Sequence, residues 1–434
     1  MGLLNLVSLV GCVALATLAW LLGGCRRPLP WRTVLGSGVL LVAMSIVIFW
    51  LPPTRIVLLG LNDIVLAVLQ SGNAGAVFLF GPLAYGPGET TAAGEPSVGF
   101  VLAAQVLPAV IFFAALMAAA YHIGLIQPLV RGFGRLFRRT LELSGAEALA
   151  GSANIFFGVE SAATVRPYLE TMTRSELLTV MTCGMSTVAS TTLAMYVLFL
   201  HDAFPQIAGH LISASILSIP AAAMVSKLIL PETEQPRTAG ELPPIESSDR
   251  HGNLMAALAS GASDGLRLAA GIATLLIAVL GVVALLDLTL STVTTPLSDT
   301  LGGPLDLKRL LGWLFTPLAW LLGIEVGDLR EAGSLLGGRI LLTEVVAYQQ
   351  LAALAAESAI SPRTLLILSY ALCGFAHVAS MGIFVGGIAG LAPSRREDAA
   401  ALGLRALAGA TLATLITGAL AGVFYHGQTG LLGL

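Results

Sequence analysis

The sequence predicts an all-α integral membrane protein with about eight transmembrane helices and two opposed re-entrant hairpins, related as an inverted repeat of broken helices. Hydrophobic residues make up 56% of the 434-residue chain and charged residues only 11%, with a mean hydropathy of +0.88. A soluble domain carries about 25% charged residues to face water. This chain has too few to do so, and its apolar residues come in runs of the roughly 20 residues that cross a bilayer.

Several runs are long and apolar enough to predict complete spans. They lie near residues 2–24, 35–52, 99–126, 175–200, 204–229, 265–291, 364–391 and 402–425. The first is expected to be a retained helix, since Arg26 and Arg27 follow the apolar run. A cleaved signal peptide carries its basic residues before that run.

Other stretches depart from this simple pattern. Residues 144–165 and 332–356 are apolar, interrupted by polar residues and flanked by charge, which predicts re-entrant hairpins. Residues 53–98 predict a short apolar run followed by a loop rich in Gly, Pro and Thr. Residues 231–251 are acidic and Pro-rich, which predicts a soluble linker.

Arginine clusters predict the orientation, because cytoplasmic loops carry an excess of positive charge. The clusters follow the first, third and seventh predicted spans: Arg26, Arg27 and Arg32; Arg131, Arg135, Arg138 and Arg139; and Arg395 and Arg396. Placing all of them in the cytoplasm is consistent if both termini lie outside. The 144–165 hairpin then enters from the cytoplasm and the 332–356 hairpin from outside.

The charge and cysteine content exclude several classes of partner. The net charge is −3, from 22 basic and 25 acidic residues, so no surface for nucleic acid is predicted. The cysteines lie in or beside apolar stretches, in a spacing that suggests neither a disulfide framework nor a zinc site: Cys12, Cys25, Cys183 and Cys373. The expected surroundings are the lipid bilayer and a small-molecule substrate.

An internal repeat links the two hairpin regions. The run Cys183-Gly-Met-Ser-Thr-Val-Ala-Ser190 recurs as Cys373-Gly-Phe-Ala-His-Val-Ala-Ser380, with five of eight residues identical. Each copy follows a hairpin segment that carries one carboxylate within apolar sequence, Glu160 in the first and Glu344 in the second. Inverted repeats with interrupted helices that meet at the membrane midplane are typical of secondary transporters.

Polar residues within these segments are the candidates for chemistry. A charge near the bilayer centre is costly and usually faces a cavity or a partner. Glu344 and Glu160 are therefore candidate substrate or ion ligands, with structural ion pairs to Arg339 and Arg166 as the alternative. His377 likewise has two interpretations: a substrate or ion ligand, or a core histidine whose hydrogen bonds are satisfied within the protein.

Hydroxyl groups also lie in the repeated motif: Thr187 and Ser190 in the first copy are at the places of His377 and Ser380 in the second. Hydroxyls and unwound backbone carbonyls can replace water around a bare cation. The alternative is that each hydroxyl bonds back to its own helix, which is common in membranes.

The order of motifs from about residue 100 to 425 resembles the concentrative nucleoside transporter family. The resemblance rests on Ser152-Ala-Asn-Ile-Phe-Phe-Gly158, Arg166-Pro-Tyr-Leu169, Met172-Thr-Arg-Ser-Glu-Leu177, His210-Leu-Ile-Ser-Ala-Ser-Ile-Leu-Ser-Ile-Pro220, Leu230-Pro-Glu-Thr-Glu234, Ser260-Gly-Ala-Ser-Asp-Gly265, Gly333-Ser-Leu-Leu-Gly337, Glu344-Val-Val-Ala-Tyr348, Ala371-Leu-Cys-Gly-Phe-Ala376 and Gly390-Leu-Ala-Pro-Ser-Arg-Arg396. Before residue 95 the sequence agrees with the family only in its hydropathy pattern.

The resemblance implies an elevator-type homotrimer in which a transport domain moves against a scaffold. On this pattern, residues 1–130 form N-terminal scaffold helices and 131–230 the first transport repeat. Residues 231–330 supply the linker and a scaffold helix with an external segment, and 331–434 the second transport repeat.

The resemblance also implies two sets of site residues. The sodium ligands map to the Asn154 and Thr187 side chains and to the carbonyls of Phe157 and Val188. The substrate-binding positions map to Val159, Glu160, Thr192, Glu344, Phe375, His377 and Ser380. This sequence departs from the family where Val159-Glu160 replaces a Gln-Thr/Ser-Glu triplet that reads the base, and where His377 replaces an Asn that holds the ribose.

The predicted function is import of nucleosides or nucleoside-like solutes across the cell membrane, coupled to sodium and without any other cofactor. One alternative is a proton-coupled transporter of a non-nucleoside solute, and another is a transport-dead relative that acts as a sensor or assembly factor. An intramembrane enzyme is disfavoured: Gly36-Ser37-Gly38 faintly resembles a serine protease motif, but no plausible partner histidine is predicted nearby.

Overall fold

A computed structural model describes residues 2–25, 29–86, 90–91, 94, 96–188, 190–240, 252–295 and 305–427. In this part of the chain the regular structure is helical. The α-helices are α1 (Leu3–Leu22), α2 (Trp31–Trp50), α3 (Pro52–Phe80), α4 (Leu102–Gln105), α5 (Leu107–His122), α6 (Ile126–Leu141), α7 (Gly145–Phe157), α8 (Arg166–Leu169), α9 (Arg174–Ser186), α10 (Ser190–Leu200), α11 (Ile207–Ile229), α12 (Leu254–Thr294), α13 (Leu307–Leu321), α14 (Leu329–Leu342), α15 (Glu344–Ala356), α16 (Pro362–Ala371), α17 (Val378–Leu391) and α18 (Arg396–Phe424).

Seven helical segments of the described chain are long and apolar enough to cross a bilayer. They are Leu3–Leu22, Trp31–Trp50, Ile56–Ala84, Leu102–His122, Ile207–Ile229, Leu254–Thr294 and Pro393–Phe424. A helix satisfies its own backbone hydrogen bonds, which is the requirement for crossing hydrocarbon. The chain is therefore an all-α, multi-pass membrane protein, as the composition predicts.

The spanning helices fall into central and peripheral groups. The apolar windows of α18 and α11 are 94% and 89% buried inside the protein, whereas those of α12 and α3 are only 12% and 11% buried. A helix that is apolar on all sides and exposed in the isolated chain faces lipid or another protein. The core thus lies around α11 and α18, with which α9, α16 and α17 also pack.

The two halves of the core repeat one order of elements. In the first, α7 is followed by a 3₁₀ segment at Gly158–Val165, then α8, α9, a break, α10 and the buried α11. In the second, α14 is followed by a break at Thr343, then α15, α16, a longer break, α17 and the buried α18. The predicted spans 175–200 and 364–391 are each divided in this way. Both divisions fall within the repeated eight-residue motif, where broken helices are expected.

The prediction for residues 53–98 was wrong in its first half. Instead of a short apolar run and a loop, the chain forms the 29-residue helix α3 and a 3₁₀ turn over Gly81–Ala84. Polar residues within α3, including Asn62, Asp63 and Asn73, interrupt its hydropathy and conceal its length. The predicted linker 231–251 lies only partly within the described residues: 231–240 are non-helical, and 241–251 fall outside them.

A buried ion pair ties the first half together. Lys227 at the end of α11 places its ammonium 2.6 Å from a carboxylate oxygen of Glu147 on α7, and it donates to the Ser175 hydroxyl on α9 at 2.9 Å. Glu232 approaches the same ammonium at 3.7 Å. Removing one partner of such a buried pair leaves an uncompensated charge, which costs about 3–5 kcal/mol. This contact therefore fixes α7, α9 and α11 relative to one another.

A buried arginine has the corresponding role in the second half. Arg363 on α16 donates to the Gly323 and Gly422 carbonyls and to the side chains of Asn5 and Ser8 on α1. Each bond uses a donor of the planar guanidinium, so α1, α16 and the end of α18 are held at fixed angles.

Candidate functional site

The breaks in the two repeats meet each other. The Phe375 amide, in the break between α16 and α17, donates to the Thr187 carbonyl in the break between α9 and α10, over 3.3 Å. Gly374 allows this approach, because a Cβ there would lie 2.9 Å from the Ser186 carbonyl oxygen and 2.5 Å from Thr414 Cγ2. The repeated motif thus brings backbone without helical hydrogen bonds from both halves to one place.

Glu344 begins α15 directly after a strained residue. Thr343 has φ +82° and ψ 159°, a region that β-branched residues rarely adopt, and its buried hydroxyl has no hydrogen-bond partner among the described residues. Strain of this kind is typical of functional sites. It ends α14 abruptly and places the buried Glu344 carboxylate at the start of the next helix, where the helix dipole favours negative charge.

His377 is the N-cap of α17 and its tautomer follows from its contacts. Its Nδ1 accepts the backbone N–H of Ser380 at 3.1 Å, and the Ser380 hydroxyl accepts the His377 N–H at 3.1 Å. A nitrogen that accepts a hydrogen bond cannot carry a proton, so the ring is neutral with its hydrogen on Nε2. The imidazole therefore satisfies a free N–H at the start of the helix, as Asn, Asp or Ser commonly does.

Glu344 and His377 face each other. Glu344 Oε2 lies 2.9 Å from His377 Nε2, and both side chains are at most 1% exposed. Apart from this contact, neither atom has a hydrogen-bond partner among the described residues. Buried polar atoms without partners are rare because each costs about 1–3 kcal/mol. A donor and an acceptor held side by side in this state are arranged to bind a polar ligand.

A tyrosine from the first repeat holds the other carboxylate oxygen. The Tyr196 hydroxyl on α10 donates to Glu344 Oε1 at 2.9 Å. Its ring stacks on Tyr348 of α15, with centroids 4.2 Å apart and planes 9° from parallel. Tyr348 in turn donates to the Ser369 carbonyl on α16 at 2.6 Å. The Glu344 carboxylate is thus oriented from both halves of the protein.

The remaining predicted substrate residues differ in how far their side chains are buried. The Phe375 ring stands edge-on to His377 with centroids 4.6 Å apart, and it is partly exposed. Ser380 is fully buried as the partner of His377, and Thr192 is buried on α10. Val159 and Glu160 lie in the 3₁₀ segment after α7, and their side chains fall outside the described part of the structure. The structure therefore brings Glu344, Phe375, His377 and Ser380 together.

Oxygen atoms gather at the end of α9, where the sodium ligands were predicted. The Cys183 carbonyl accepts from Asn154 Nδ2 at 2.6 Å and from the Thr187 hydroxyl at 2.9 Å, and the Ser186 hydroxyl approaches it at 3.1 Å. Asn154 Nδ2 also contacts Thr187 Oγ1. On its other side, Asn154 Oδ1 accepts from the Ser161 hydroxyl at 3.1 Å.

This set of oxygen atoms fits a sodium ion. A carbonyl has two lone pairs, so three donors on Cys183 O make it over-subscribed. If the Asn154 amide turns over, Oδ1 joins Thr187 Oγ1 and Cys183 O as a third neutral oxygen, and hard cations prefer such ligands. Val188 is buried directly after Thr187, and Phe157 ends α7. Among the described residues, no hydrogen bond joins the carbonyl of Val188 or Phe157 to this cluster.

Arg339 does not form the ion pair with the Glu344 carboxylate that was the alternative prediction for these two residues. Its Nη1 donates to the Ala371 carbonyl at 2.6 Å and to the Thr414 hydroxyl at 3.1 Å. The side chain is completely buried, and its Nε and Nη2 have no hydrogen-bond partners in the part of the chain described.

Sequence reasoning missed Tyr196, Ser161 and the contacts of Arg339. Tyr196 lies in an apolar run, Ala194-Met-Tyr-Val-Leu198, where a tyrosine is ordinary core. It lies on the face of α10 that packs against α15, and no local sequence pattern indicates this packing. Ser161 was detectable only through its position seven residues after Asn154.

The sequence matches family descriptions along nearly its whole length. Residues 10–83 match "Na+ dependent nucleoside transporter N-terminus", 103–203 match "Nucleoside recognition", and 210–422 match "Na+ dependent nucleoside transporter C-terminus". The N-terminal match includes α3, the helix that the sequence analysis did not predict.

Individual relatives give the same result. An "Uncharacterized transporter" of Haemophilus influenzae is 36% identical, covering 96% of this chain and 97% of the relative. Nucleoside permease NupC of Helicobacter pylori is 33% identical over 97% of this chain and 98% of the permease. Human solute carrier family 28 member 3 is 33% identical over 98% of this chain, which spans 60% of that protein.

Solved structures with the same fold include CNTnw in an inward-facing substrate-bound state. It superposes with a TM-score of 0.85 at 34% identity, covering 97% of this chain and 98% of the other. A CNTnw variant in an outward-facing state gives 0.86 at 34% identity, covering 98% of each chain.

Proposed function

This chain belongs to the concentrative nucleoside transporter family, and we propose that it imports nucleosides or closely similar solutes across the cell membrane in symport with sodium. The proposal rests on one observation above all. Where the two repeats meet, Glu344 Oε2 and His377 Nε2 are buried, lie 2.9 Å apart and have no hydrogen-bond partner other than each other among the described residues. An acceptor and a donor at this spacing match two neighbouring hydroxyl groups of a sugar.

The carboxylate is well suited to that role. Glu344 can accept from two sugar hydroxyls, and hydrogen bonds to a charged group contribute about 1.5–3 kcal/mol each. Tyr196 occupies one oxygen and fixes the carboxylate plane, which leaves the other directed towards His377. The partly exposed Phe375 ring, beside His377, offers an apolar face against which the flat part of a solute can pack.

A cavity lies on another side of α10. It has a volume of about 540 Å³ and is lined by residues of α3, α4, α5 and α10, including Gln70, Gln105 and Val197. Val197 directly follows Tyr196, whose hydroxyl donates to Glu344, and the lining of the cavity does not include Glu344 or His377. A cavity of this volume accommodates a nucleoside-sized molecule.

Coupling would occur at the oxygen cluster of Asn154 and Thr187. The cluster lies at the end of α9, and the same Thr187 accepts the Phe375 amide through its carbonyl. A sodium ion there would fix the backbone of the first break, against which the second break and its substrate residues rest. This arrangement supports sodium loading before solute binding. The family pattern further suggests a homotrimer that works by elevator motion, with the scaffold and transport boundaries given by the sequence.

The substrate would meet an imidazole at His377, where the family pattern has an amide. A neutral imidazole with its hydrogen on Nε2 offers one donor, whereas an amide offers both donors and acceptors. We therefore expect a solute with an acceptor at this position. Proton coupling is the second candidate, favoured by the direct contact between the titratable groups of Glu344 and His377.

Counterflow in proteoliposomes tests the function. Vesicles loaded with unlabelled uridine, adenosine or deoxyadenosine should accumulate the labelled compound from outside, and a sodium gradient should increase the initial rate of net uptake. A thermal-shift series over nucleosides, bases, nucleotides and sugars identifies the preferred class. Absence of both counterflow and thermal stabilisation across this series would contradict transport and favour a sensor or assembly role.

A further inference from the structure

Each repeat presents the C-terminal end of a half-helix inside the protein. The helix α9 ends at Ser186 and α16 ends at Ala371, both within the buried core. The end of a helix carries roughly half a negative charge on carbonyls that lack helical partners. Within the membrane, the free carbonyls of such an end are satisfied by neighbouring groups of the protein or by a bound ion.

At the end of α9 the group that comes from the hairpin is neutral. Asn154 on α7 lies six residues before Glu160 and reaches the Cys183 carbonyl in the last turn of α9. An amide supplies dipoles but no charge. The end of α9 therefore has no formal positive charge from the hairpin, and the proposed sodium ion would supply one.

At the end of α16 the corresponding group is a cation. Arg339 on α14 lies five residues before Glu344 and donates to the carbonyl of Ala371, the last residue of α16. Its second acceptor is the Thr414 hydroxyl on α18. The first arm of each hairpin thus sends one side chain to the last turn of the half-helix that follows.

An ion pair with Glu344 does not explain the contacts that Arg339 makes. The carboxylate of Glu344 is occupied by Tyr196 and faces His377, so it does not bind the guanidinium directly. The acceptors of Arg339 are one carbonyl and one hydroxyl, and its Nε and Nη2 have no partners among the described residues. A buried cation held in this way is costly unless it offsets a negative charge nearby. The end of α16 is the negative group that Arg339 contacts directly, and the nearby Glu344 carboxylate adds to its effect without touching the guanidinium.

We propose that Arg339 is a tethered cation, which holds at the end of α16 the place that a coupling sodium ion takes at the end of α9. The proposal builds on the sodium site of the proposed function. It makes Arg339 a positioning residue that keeps the second break ordered around His377 whether or not sodium is bound. Only the first repeat then responds to the ion.

Substitutions that separate charge from size test this role. Arg339→Lys keeps the positive charge and should retain sodium-dependent uridine uptake within about threefold of the parent protein. Arg339→Met fills similar space without charge and should reduce uptake at least about tenfold. Arg330→Met, on the same helix and not buried, is the matched control and should leave uptake unchanged.

Truncation and chemical rescue sharpen the test. Arg339→Ala opens space at the end of α16, so about 20 mM guanidinium, far below denaturing concentrations, should restore both thermal stability and uptake. The same salt should not rescue Arg339→Met, in which the methionine occupies the space. In Arg339→Ala, sodium itself can enter, and the Hill slope of its stabilising effect should rise from about 1 towards 2.

The outcomes separate this inference from the proposed sodium site. Equal loss in Arg339→Lys and Arg339→Met, or no rescue of Arg339→Ala by guanidinium, would overturn the tethered cation. If the parent protein shows no response to sodium, the sodium site fails instead. The comparison of Lys with Met and the guanidinium rescue, both read as melting temperature in sodium-free buffer, still decide the role of Arg339.

Discussion

The two repeats use one backbone plan for two kinds of chemistry. The break after α9 gathers neutral oxygens, from the side chains of Asn154, Thr187 and Ser161 and a main-chain carbonyl. The break after α16 gathers ionisable groups, Glu344 and His377. Thr187 and His377 hold the same place in the repeated motif. One supplies an oxygen to the cluster, and the other caps a helix and faces a carboxylate.

This difference shows that the repeat fixes geometry and leaves function to a few side chains. A break provides free carbonyls at one half-helix end and free N–H groups at the other, whatever the sequence. Neutral oxygens around such an end suit a bare cation, whereas a carboxylate and an imidazole suit a hydroxylated solute. The contact between the Phe375 N–H and the Thr187 carbonyl joins the two breaks directly.

The largest effect is expected from removing the charge of the second repeat. Glu344→Gln loses charge-assisted hydrogen bonds of about 1.5–3 kcal/mol each, so affinity for the transported nucleoside should fall at least tenfold. Calorimetric titration with the best ligand of the thermal-shift series measures this. Glu357→Gln, an exposed position at the end of α15, is the control and should bind normally. Unchanged affinity in Glu344→Gln would remove this carboxylate from the site.

The first repeat is tested through sodium rather than through the solute. Asn154→Ala and Thr187→Val each remove an oxygen ligand, and each should reduce the stimulation of uptake by sodium about fivefold or more. Thr182→Val is the matched control, since the Thr182 hydroxyl bonds back to the Leu178 carbonyl of its own helix. Retained sodium stimulation in both site variants would place the ion elsewhere. Uptake that never depended on sodium would direct attention to protons.

A smaller effect should come from the link between the repeats. Tyr196→Phe removes the hydroxyl that donates to Glu344 Oε1 while keeping the stacked ring, and it should weaken solute binding about three- to tenfold. Tyr348→Phe keeps the same stack and loses only a bond to the Ser369 carbonyl, so it should lower stability without changing affinity. Equal affinities in the two variants would mean that Tyr196 does not orient the carboxylate.

The sequence predicted the helical class and the broken helices because composition and repeat are local signals. It placed Glu344 and His377 in neighbouring motifs, and the structure brings them to 2.9 Å. It could not predict the partners of Arg339, since a buried arginine has acceptors within reach on several helices. It also missed α3, in which polar residues on one face lower the mean hydropathy of a real span.

The smallest effect, and the most specific, concerns acidification and His377. The neutral ring accepts the Ser380 N–H at Nδ1, and a protonated ring cannot. Loss of this bond would remove the N-cap of α17, so any pH dependence of affinity that passes through this contact should require His377. Asn also caps helices but does not titrate, so His377→Asn should lose this part of the pH dependence. Any part due to Glu344 should remain.

His377→Asn also tests how the second repeat recognises its solute. An amide restores both a donor and an acceptor beside Glu344, so His377→Asn should bind ordinary ribonucleosides such as uridine more tightly than the parent protein does. His122→Asn, at the end of α5, controls for a general effect of losing an imidazole. Competition binding at several pH values gives the pH profile and the ranking of nucleosides in one experiment. If the profile and the ranking are identical in parent and variant, His377 only caps α17, and the second repeat recognises its solute through Glu344 alone.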